Sequence, residues 1–363
     1  MCSKVNYYNP KKKIALVVRT MDFASPTGMQ EALFNANETY SNPMDGTEAK
    51  TKFKFLGKYS DIGFTVLGKH YGARAVSDGV NDQGLALATL WNAGTRFDTS
   101  VKQPADCFSG LTLPIQILGS CGSVDDVLKM FEADKVDYYT MAGVPAIKYV
   151  SKKRVNIPTK ELQGFATIHL GLFDKTGNQM VVEFENVNGK DGVAVFYPDP
   201  YGVLTNAPHI TWQHENLRNY VGLTGKFNVT EGDFMGVKVD TTGFGNDLRS
   251  LPGDNTPPSR FVRLVVNKNL MLKNGEFETV DTAMAALDTL IGSVVLAEGT
   301  SANHGTIKAD VDSTLWISMY DCMNFKMYKK TPASPNWQEM QCKTVKLEMS
   351  PSELQACYSE LTA

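Results

Sequence analysis

The sequence has no long apolar run, no closely paired cysteines and little net charge. Its 363 residues include 36 basic and 39 acidic side chains, which gives a formal charge of −3. A chain this close to neutral lacks the basic excess that attracts phosphates, so no nucleic-acid partner is expected. The apolar run at 14–18 is far shorter than the roughly 20 residues that span a bilayer, so no membrane partner is expected either.

Cysteine and histidine are scarce too. The five histidines are scattered and none of the six cysteines forms a CxxC pair, so neither a metal nor an organic cofactor is predicted. If Cys2 has a separate task, an odd number of cysteines remains, which favours reduced, buried thiols over a disulfide framework. The absence of a signal-peptide pattern favours a cytoplasmic protein, or a periplasmic or secreted one if such a peptide was trimmed from the chain.

The hydrophobic pattern predicts an α+β fold. Apolar residues make up 42% of the chain, which is enough for a large core. Turn sequences at 81–84 and 175–178 join strand patterns, so the sheets should be largely antiparallel. Helices between blocks of strands suggest two central sheets covered by helices. Strands are predicted at 13–23, 74–80, 84–91, 166–173, 179–185, 193–197, 314–320, 325–328 and 343–347, and helices at 113–119, 124–132, 259–270 and 280–291; segment 25–50 is predicted as a long excursion and 206–260 as mostly irregular.

The tripeptide Met1-Cys2-Ser3 indicates chemistry at the N-terminus. Methionine before a small residue is normally removed, which would leave Cys2 with a nucleophile and a base on one residue. An α-amino group ordinarily has a pKa of about 7.7–8.0 and a thiol about 8.5, so the amine can accept the thiol proton near neutral pH. The alternative is an unimportant thiol near a frayed end.

Arg19 and Asp22 lie near the end of the first predicted strand. An aspartate can hold an α-amino group by a charge-assisted hydrogen bond, and an arginine favours a neighbouring thiolate. Residues three apart in a strand face opposite sides, so gathering the two predicts a break near Met21. The alternative is a structural ion pair between Arg19 and Asp22.

An ordered set of motifs carries a resemblance to a known family. The initial Met-Cys is followed by Arg-Thr-Met-Asp-Phe at 19–23, Leu-Thr-Asn-Ala-Pro at 204–208, Leu-Pro-Gly-Asp at 251–254 leading to Ser-Arg-Phe at 259–261, and Thr-Leu-Trp at 314–316 running to Tyr-Asp at 320–321. This set resembles the choloylglycine hydrolase family of N-terminal nucleophile hydrolases, which contains bile salt hydrolases and penicillin V acylases. The resemblance implies a four-layer αββα fold, with 1–363 as a single domain and an oligomerisation insertion around 210–250.

The resemblance also implies a catalytic set. Cys2 would be the nucleophile after processing, Asp22 would orient its amine, and Arg19 would lie near the sulfur. Asn206 would donate its side-chain NH₂ to the oxyanion, and Arg260 would stabilise charge near the nucleophile. From the residues alone, Asn206 reads as a turn residue, and Arg260 as a helix-start arginine paired with a neighbour such as the aspartate at 254.

Trp91 marks a departure from the bile salt hydrolases. Those enzymes have an asparagine at this position and some penicillin V acylases a tyrosine; a one-residue shift would place Asn92 there. The main-chain N–H at this position would complete the oxyanion hole, and the flat apolar side chain of Trp91 suits an aryl or alkyl acyl group. The pocket loops would supply Phe23, Met29, Phe64 and Met141, each of which is otherwise interpreted as core.

We therefore expect a cysteine amidase that cleaves a linear amide through a thioester. Penicillin V acylase is ranked first, with bile salt hydrolase or N-acyl homoserine lactone acylase as alternatives. Two other classes stay open: an inactive binding relative, and an ordinary hydrolase pairing Cys107 or Cys121 with His169, which is otherwise a satisfied buried histidine. The long separation of Asn206 from Arg260 leaves room for the family's insertion, so a homotetramer is expected.

Overall fold

A computed structural model describes residues 1–24, 28–41, 48–66, 69–100, 106–157, 167–225, 231–241, 248–301 and 311–361. Two sheets dominate it. The first has six strands in the spatial order β15 (Val203–Leu204), β1 (Cys2–Asn9), β2 (Ile14–Phe23), β18 (Ser313–Asp321), β19 (Lys326–Thr331) and β20 (Ser334–Glu339).

The second sheet has eleven strands. Their order is β10 (Asp134–Tyr139), β11 (Pro145–Asn156), β14 (Lys190–Pro198), β13 (Gln179–Val187), β12 (Ile168–Asp174), β8 (Leu85–Trp91), β7 (Lys69–Asn81), β6 (Phe55–Val66), β3 (Gln30–Phe34) and β21 (Lys343–Thr344), with β9 (Cys107–Ser109) beside β11. Two separate hairpins are β4 (Thr39–Ser41) with β5 (Glu48–Lys50), and β16 (Glu231–Phe234) with β17 (Val237–Asp240). Pairing is antiparallel except for β9–β11 and β3–β21, which confirms the largely antiparallel prediction.

Six α-helices cover the two sheets within the described ranges. They are α1 (Leu113–Ser120), α2 (Val124–Met130), α3 (Ile210–Asn216), α4 (Pro257–Lys273), α5 (Val280–Gly292) and α6 (Pro351–Leu361). Helices α4 and α5 pack on the outer face of the first sheet, where Phe261 and Leu287 join Leu16 in one core. Helices α1, α2 and α6 lie against the second sheet. The sheets meet at their inner faces, where Val17 and Ala86 share an apolar cluster, so the predicted αββα layering is confirmed.

Several elements differ from the sequence prediction. The segment predicted as irregular at 206–260 contains α3, a 3₁₀ turn at Leu217–Tyr220 and the β16–β17 hairpin. The described residues of the excursion at 25–50 include the three short strands β3, β4 and β5, and the strand predicted at 343–347 ends at Thr344. The long strands β6 and β11 were not predicted. Residue 166 of one predicted strand lies outside the described residues.

Backbone pairing limits the last predicted strand. Val345 still donates to the carbonyl of Leu33 at 3.0 Å, but the next buried apolar residue, Leu347, donates instead to a Glu38 carboxylate oxygen at 2.8 Å. The apolar pattern in the sequence therefore continues beyond the last backbone pairing of β21 with β3, which is why the predicted strand is too long. Within the described ranges, no helix is both long and apolar enough to cross a membrane.

Candidate active site around Cys2

The β1–β2 hairpin places Cys2 at its open end. The chain turns at 10–13, and the antiparallel register then sets Cys2 opposite Met21 and Lys4 opposite Arg19. Residues that face each other across two strands lie on the same side of the sheet, so these four side chains share one face. That face is the inner one, because the Lys4 side chain lies against Gly171 of β12.

The Cys2 thiol is buried beside a guanidinium group. Cys2 is only 4% exposed. Arg19 donates from Nη2 to the Sγ of Cys2 at 3.0 Å, and the Sδ of Met21 lies 3.9 Å from the same sulfur. Burial alone would lower the pKa of Arg19, but the nearby Asp78 carboxylate and Cys2 sulfur outweigh it and raise that pKa. The guanidinium is thus a buried positive charge in direct contact with the Cys2 sulfur.

A carboxylate from the opposite sheet holds Arg19. Asp78 of β7 accepts a hydrogen bond from the Nη1 of Arg19 at 2.9 Å. The other oxygen of Asp78 accepts the Tyr320 hydroxyl at 2.5 Å. The ion pair crosses the space between the two sheets and is fully buried on both sides. The alternative pairing of Arg19 with Asp22 is therefore wrong.

Asp22 lies on the outer face of the same strand. Its carboxylate accepts hydrogen bonds from the hydroxyls of Thr20 at 3.0 Å and Thr314 at 2.6 Å. Burial raises the pKa of Asp22, against the lowering influence of the Arg260 charge and these hydroxyls. The predicted break near Met21 is absent, because β2 runs unbroken through it and the extra residue of the register shift lies in β18, between Thr314 and Trp316.

Met1 lies on the outer side of the site. Its α-amino group donates to the main-chain carbonyl of Asp22 and pairs with the Asp312 carboxylate at 3.0 Å. Its carbonyl accepts from the N–H of Asp22 at 2.8 Å. The nitrogen of Cys2 is therefore an amide in this form and cannot accept a proton.

Asn206 reaches Cys2 from the neighbouring strand. Strand β15 pairs with β1 so that Leu204 faces Lys4, and two further residues along the chain bring Asn206 beside Cys2. The N–H of Cys2 donates to the Oδ1 of Asn206 at 2.9 Å. The Nδ2 of Asn206 donates to the carbonyl of Trp91 at 2.7 Å. An amide NH₂ has two hydrogens, so one remains for a further acceptor.

Arg260 ties these groups together from the first turn of α4. Its Nη2 donates to the Oδ1 of Asn206 at 2.7 Å, and its Nη1 donates to the Cys2 carbonyl at 2.7 Å and to the Ser3 hydroxyl. Two prolines begin α4, where missing N–H groups cost nothing, and set its direction. The alternative partner Asp254 instead accepts from hydroxyls, that of Ser259 at 2.6 Å among them.

Trp91 turns its backbone toward Asn206. The next residue, Asn92, donates its N–H to the carbonyl of Thr167 at 2.7 Å. Thr167 directly precedes β12, so the backbone of Asn92 faces the β12 edge of β8. Successive residues of a strand point their backbone groups to opposite edges, so the N–H and C=O of Trp91 face away from β12. The Trp91 side chain is 40% exposed, whereas Asn92 is buried.

The four predicted pocket residues occupy different places. Phe23 follows Asp22 directly and is 47% exposed. Met29 packs against the core that contains Cys2. Phe64 is instead buried in a separate cluster with Ala73 and Leu111, which matches its alternative interpretation as core. Met141 lies between β10 and β11 and is 82% exposed.

Sequence reasoning missed Asp78, Thr314 and Glu183. Each is a polar residue at a buried strand position, where an unpaired carboxylate or hydroxyl is costly. That signal predicts a partner but does not say which one, because the partner lies on another strand. Thr314 belongs to a motif that the family resemblance used, yet it received no role.

One group of side chains in the described ranges has the donor types of a metal site. Glu183, Glu185 and His209 place their ligand atoms within 4.8 Å of one another. The Nε2 of His209 already lies 2.5 Å from a Glu183 oxygen and 3.0 Å from a Glu185 oxygen. The Nε2 of His209 therefore already has two carboxylates as direct neighbours, and the three side chains lie close together.

The other candidate thiols are poor nucleophiles. Burial raises the pKa of Cys107 to about 12 and that of Cys121 to about 12. Thiols with such pKa values are protonated at neutral pH, and the thiolate is the reactive form. The alternative of an ordinary cysteine–histidine hydrolase is therefore disfavoured.

Comparison with known protein families agrees with this geometry. The family model of the linear amide C–N hydrolases, choloylglycine hydrolase family, matches residues 2–355. The chain belongs to the choloylglycine hydrolase family. Its predicted enzyme class, a hydrolase of carbon–nitrogen bonds in linear amides, is confirmed by this membership.

Relatives carry both activities that the motifs suggested. A bile salt hydrolase/transferase of Clostridium perfringens is 28% identical over 274 residues, which cover 74% of this chain and 72% of the relative. A penicillin V acylase of Pectobacterium atrosepticum is 22% identical over 351 residues, which cover 92% of this chain and 79% of the relative.

Solved structures confirm the fold. A mutant of the conjugated bile acid hydrolase from Clostridium perfringens has a TM-score of 0.74 and 22% identity, covering 94% of this chain and 92% of its own. The penicillin V acylase from Agrobacterium tumefaciens has a TM-score of 0.64 and 20% identity, covering 93% and 86%. The αββα architecture is thus shared with members of this family.

Proposed function

We propose that Cys2, with Met1 removed, is the nucleophile of a penicillin V acylase-like amidase. The observation that carries this is the convergence of Arg19, Asn206 and Arg260 on Cys2, at distances of 2.7–3.0 Å. Folding alone does not require an arginine on a buried thiol and a second arginine on the same residue's carbonyl. This set also counts against an inactive binding relative.

The proposed reaction begins with attack on the amide. The freed α-amino group of Cys2 accepts the thiol proton, and the thiolate beside Arg19 attacks the carbonyl carbon. The oxyanion accepts the second N–H of the Asn206 amide and the N–H of Trp91, and each such donor can be worth roughly 3 kcal/mol in the transition state. The α-ammonium then protonates the leaving amine, and the C–N bond breaks to give a thioester.

Water completes the cycle. It adds to the thioester carbonyl while the α-amino group takes its proton, and the sulfur leaves as the carboxylic acid forms. Asp22 is proposed to orient the amine after Met1 has gone. In the unprocessed chain the Asp22 carboxylate is held by two threonines and faces the side where Met1 lies.

The substrate proposal depends on exposed aromatic side chains. The Trp91 carbonyl accepts a hydrogen bond from Asn206, Phe23 directly follows Asp22, and both aromatic side chains leave much of their surface open. Flat apolar surfaces favour the aryl acyl group of a phenoxyacetyl amide. Bile salt hydrolysis is the second candidate, because a bile salt hydrolase/transferase is the 28% identical relative. N-acyl homoserine lactones remain a third substrate class to assay.

We also propose a homotetramer in a cytoplasmic setting. The β16–β17 hairpin, within the insertion, exposes Phe234, Met235, Val237 and Val239. Clustered exposed apolar residues are typical of surfaces that another chain covers. Cys121 and Cys322 are free buried thiols, as expected in a reducing compartment.

Intact mass with a product assay tests the catalytic proposal. We expect purified protein to lack one methionine and to release 6-aminopenicillanic acid from penicillin V. Cys2→Ala should abolish release, and Cys121→Ser, the matched thiol control, should keep it. Bile salt turnover at least tenfold faster than penicillin V turnover would reverse the substrate order. A retained Met1 without turnover of any amide would refute the proposal.

A further inference from the structure

A buried carboxylate with two imidazoles lies next to the segment that carries Asn206. We call Glu183, His169 and His209 the Glu183 cluster. Glu183 of β13 and His169 of β12 are cross-strand neighbours, since Leu170 pairs with Val182 in the same register. Both are almost completely buried, whereas the His209 side chain is 36% exposed.

The cluster holds both ends of the segment 205–210. The Nε2 of His169 lies 2.9 Å from the Thr205 carbonyl, which immediately precedes Asn206. At the other end, the N–H of Ile210 donates to Glu183 at 3.0 Å. His209 pairs with the second oxygen of Glu183 at 2.5 Å. One carboxylate and its partner imidazoles therefore fix the backbone on either side of Asn206.

The same cluster contacts the strand end that carries Trp91. The Nδ1 of His169 lies 3.4 Å from the side-chain nitrogen Nδ2 of Asn92 and 3.4 Å from a Glu183 carboxylate oxygen. The Oδ1 of Asn92 accepts the N–H of Gly94 at 3.0 Å, which fixes the Asn92 side chain. His169 thus bridges the two chain segments that provide Asn206 and Trp91.

Keeping Glu183 charged in this position is energetically costly without such partners. Burial alone would raise the pKa of Glu183, but the hydrogen bonds from His169 and His209 lower it to about 2. A buried ion pair stabilises a fold little more than apolar packing would, so its clearest benefit is a fixed geometry. The groups whose geometry it fixes here are main-chain atoms flanking the oxyanion donors.

We propose that His169 and Glu183 are positioning residues that hold Asn206 and Trp91 in register to bind the oxyanion. The inference rests on the proposed function, because it takes Asn206 Nδ2 and the Trp91 N–H as the donors. Neither residue touches the thiol in this arrangement. Their loss should therefore slow the chemical step without altering the reactivity of Cys2 itself.

The test compares Glu183→Gln with Glu185→Gln. Glu185 is two residues along the same strand and binds His209 and Tyr197, but its hydrogen bonds in the described chain reach neither Thr205 nor Ile210. We expect Glu183→Gln to lower kcat about 10–100-fold with KM changed less than about threefold, since losing one oxyanion donor typically costs about 10²–10³-fold. Glu185→Gln should stay within about threefold of wild type in kcat.

Alkylation of Cys2 by iodoacetamide separates positioning from structural damage. This reaction needs the thiolate but no oxyanion donor, so its rate in Glu183→Gln should remain within about twofold of wild type. His169→Gln, which keeps an N–H donor for Thr205, should lose less kcat than His169→Leu. Equal kcat in the two glutamine variants would overturn the proposal, as would an alkylation rate that falls in step with kcat.

A second probe works even without amide turnover. Phenoxyacetaldehyde adds to the Cys2 thiol to give a hemithioacetal. Its oxygen would bind the same two donors as the oxyanion, the Nδ2 of Asn206 and the N–H of Trp91. We expect Glu183→Gln to bind it at least about tenfold more weakly than Glu185→Gln. If wild type binds the aldehyde but hydrolyses no amide, only the proposed function fails; equal aldehyde binding by both variants overturns the positioning role.

Discussion

Arg19 depends on a carboxylate that lies 59 positions away in the sequence, on the facing sheet. Asp78 binds one nitrogen of the guanidinium while the other contacts the thiol. Without that anchor, Arg19 would be a buried charge with no carboxylate partner, and it would turn away from Cys2 or draw in water. The orientation of Arg19 is therefore set by a residue outside the sheet that carries Cys2.

Asp78→Asn should slow both catalysis and thiol alkylation. We expect kcat/KM to fall at least about tenfold, or about 1.4 kcal/mol, because the mispositioned guanidinium stabilises the thiolate less. Iodoacetamide alkylation of Cys2 should slow with it, unlike in Glu183→Gln. The readouts are steady-state kinetics and the alkylation rate at pH 7.

Two further variants control for misfolding. Asp61→Asn removes a carboxylate from another arginine pair, that with Arg74, and should leave both rates near wild type. Tyr320→Phe removes only the hydroxyl on Asp78 and should give a smaller loss in a well-folded protein. Unchanged alkylation in Asp78→Asn would contradict this account of Arg19.

Residue identities were easier to predict than their surroundings. Arg19, Asn206 and Arg260 all contact Cys2 in the structure, although only Cys2, Asn206 and Arg260 lie at or near a strand end or a helix start and Arg19 lies within β2. The sequence indicated that Asp22 and Arg19 would face opposite sides of a continuous strand, but the break near Met21 that was predicted to gather them is absent from β2. That arrangement works because the sulfur of Cys2 faces Arg19, while Met1, which precedes Cys2, lies against Asp22.

At the scale of elements, a histidine at the start of α3 is joined to two carboxylates of β13. His209 directly precedes α3, and its Nε2 lies beside Glu183 and Glu185 of β13. Burial alone would lower the pKa of His209, but the two carboxylates raise it from 6.5 to about 9. A histidine with a raised pKa stabilises the fold fully below its unfolded-state value and loses that contribution as the pH rises through its folded value.

The thermal unfolding midpoint should therefore fall between pH 6.5 and about 9 more steeply in wild type than in His209→Gln. The effect should be modest, because solvent reaches a third of the imidazole and screens its charge. Differential scanning calorimetry of both proteins across this range gives the comparison. Parallel midpoint curves would show that the imidazole does not link the strand and the helix through its charge.

Exposed elements were the hardest to predict. Strand β10 is exposed at five of its six positions, so it shows no alternation of buried and exposed residues for a pattern to detect. In contrast, α5 and β8 carry strong apolar periodicity, and both were predicted nearly to their ends. Prediction succeeded for these two elements, where burial constrains the sequence, and failed for β10, where backbone hydrogen bonds define the strand. Burial was not sufficient everywhere, because β6 was not predicted although residues 55–59 are buried.

At the scale of the whole molecule, the site forms where the layers meet. The first sheet supplies Cys2 and Arg19, the second supplies Asp78 and Trp91, and the helix layer supplies Arg260. No single layer could hold this set, which explains why catalytic competence should require the folded αββα assembly. The β16–β17 hairpin lies in the chain between Asn206 and Arg260, so an assembly contact there would lie in the same segment as two site residues.

Replacing both Phe234 and Met235 by glutamate should therefore reduce the mass of the assembly. Both side chains are more than half exposed, and two added charges would oppose burial against another copy. Sedimentation velocity should show a tetramer for wild type and smaller species for the double variant. Tyr139→Glu, an equally exposed site outside the insertion, should leave the tetramer intact. A monomeric wild type, or an unchanged mass in the double variant, would mean that this hairpin does not join the subunits.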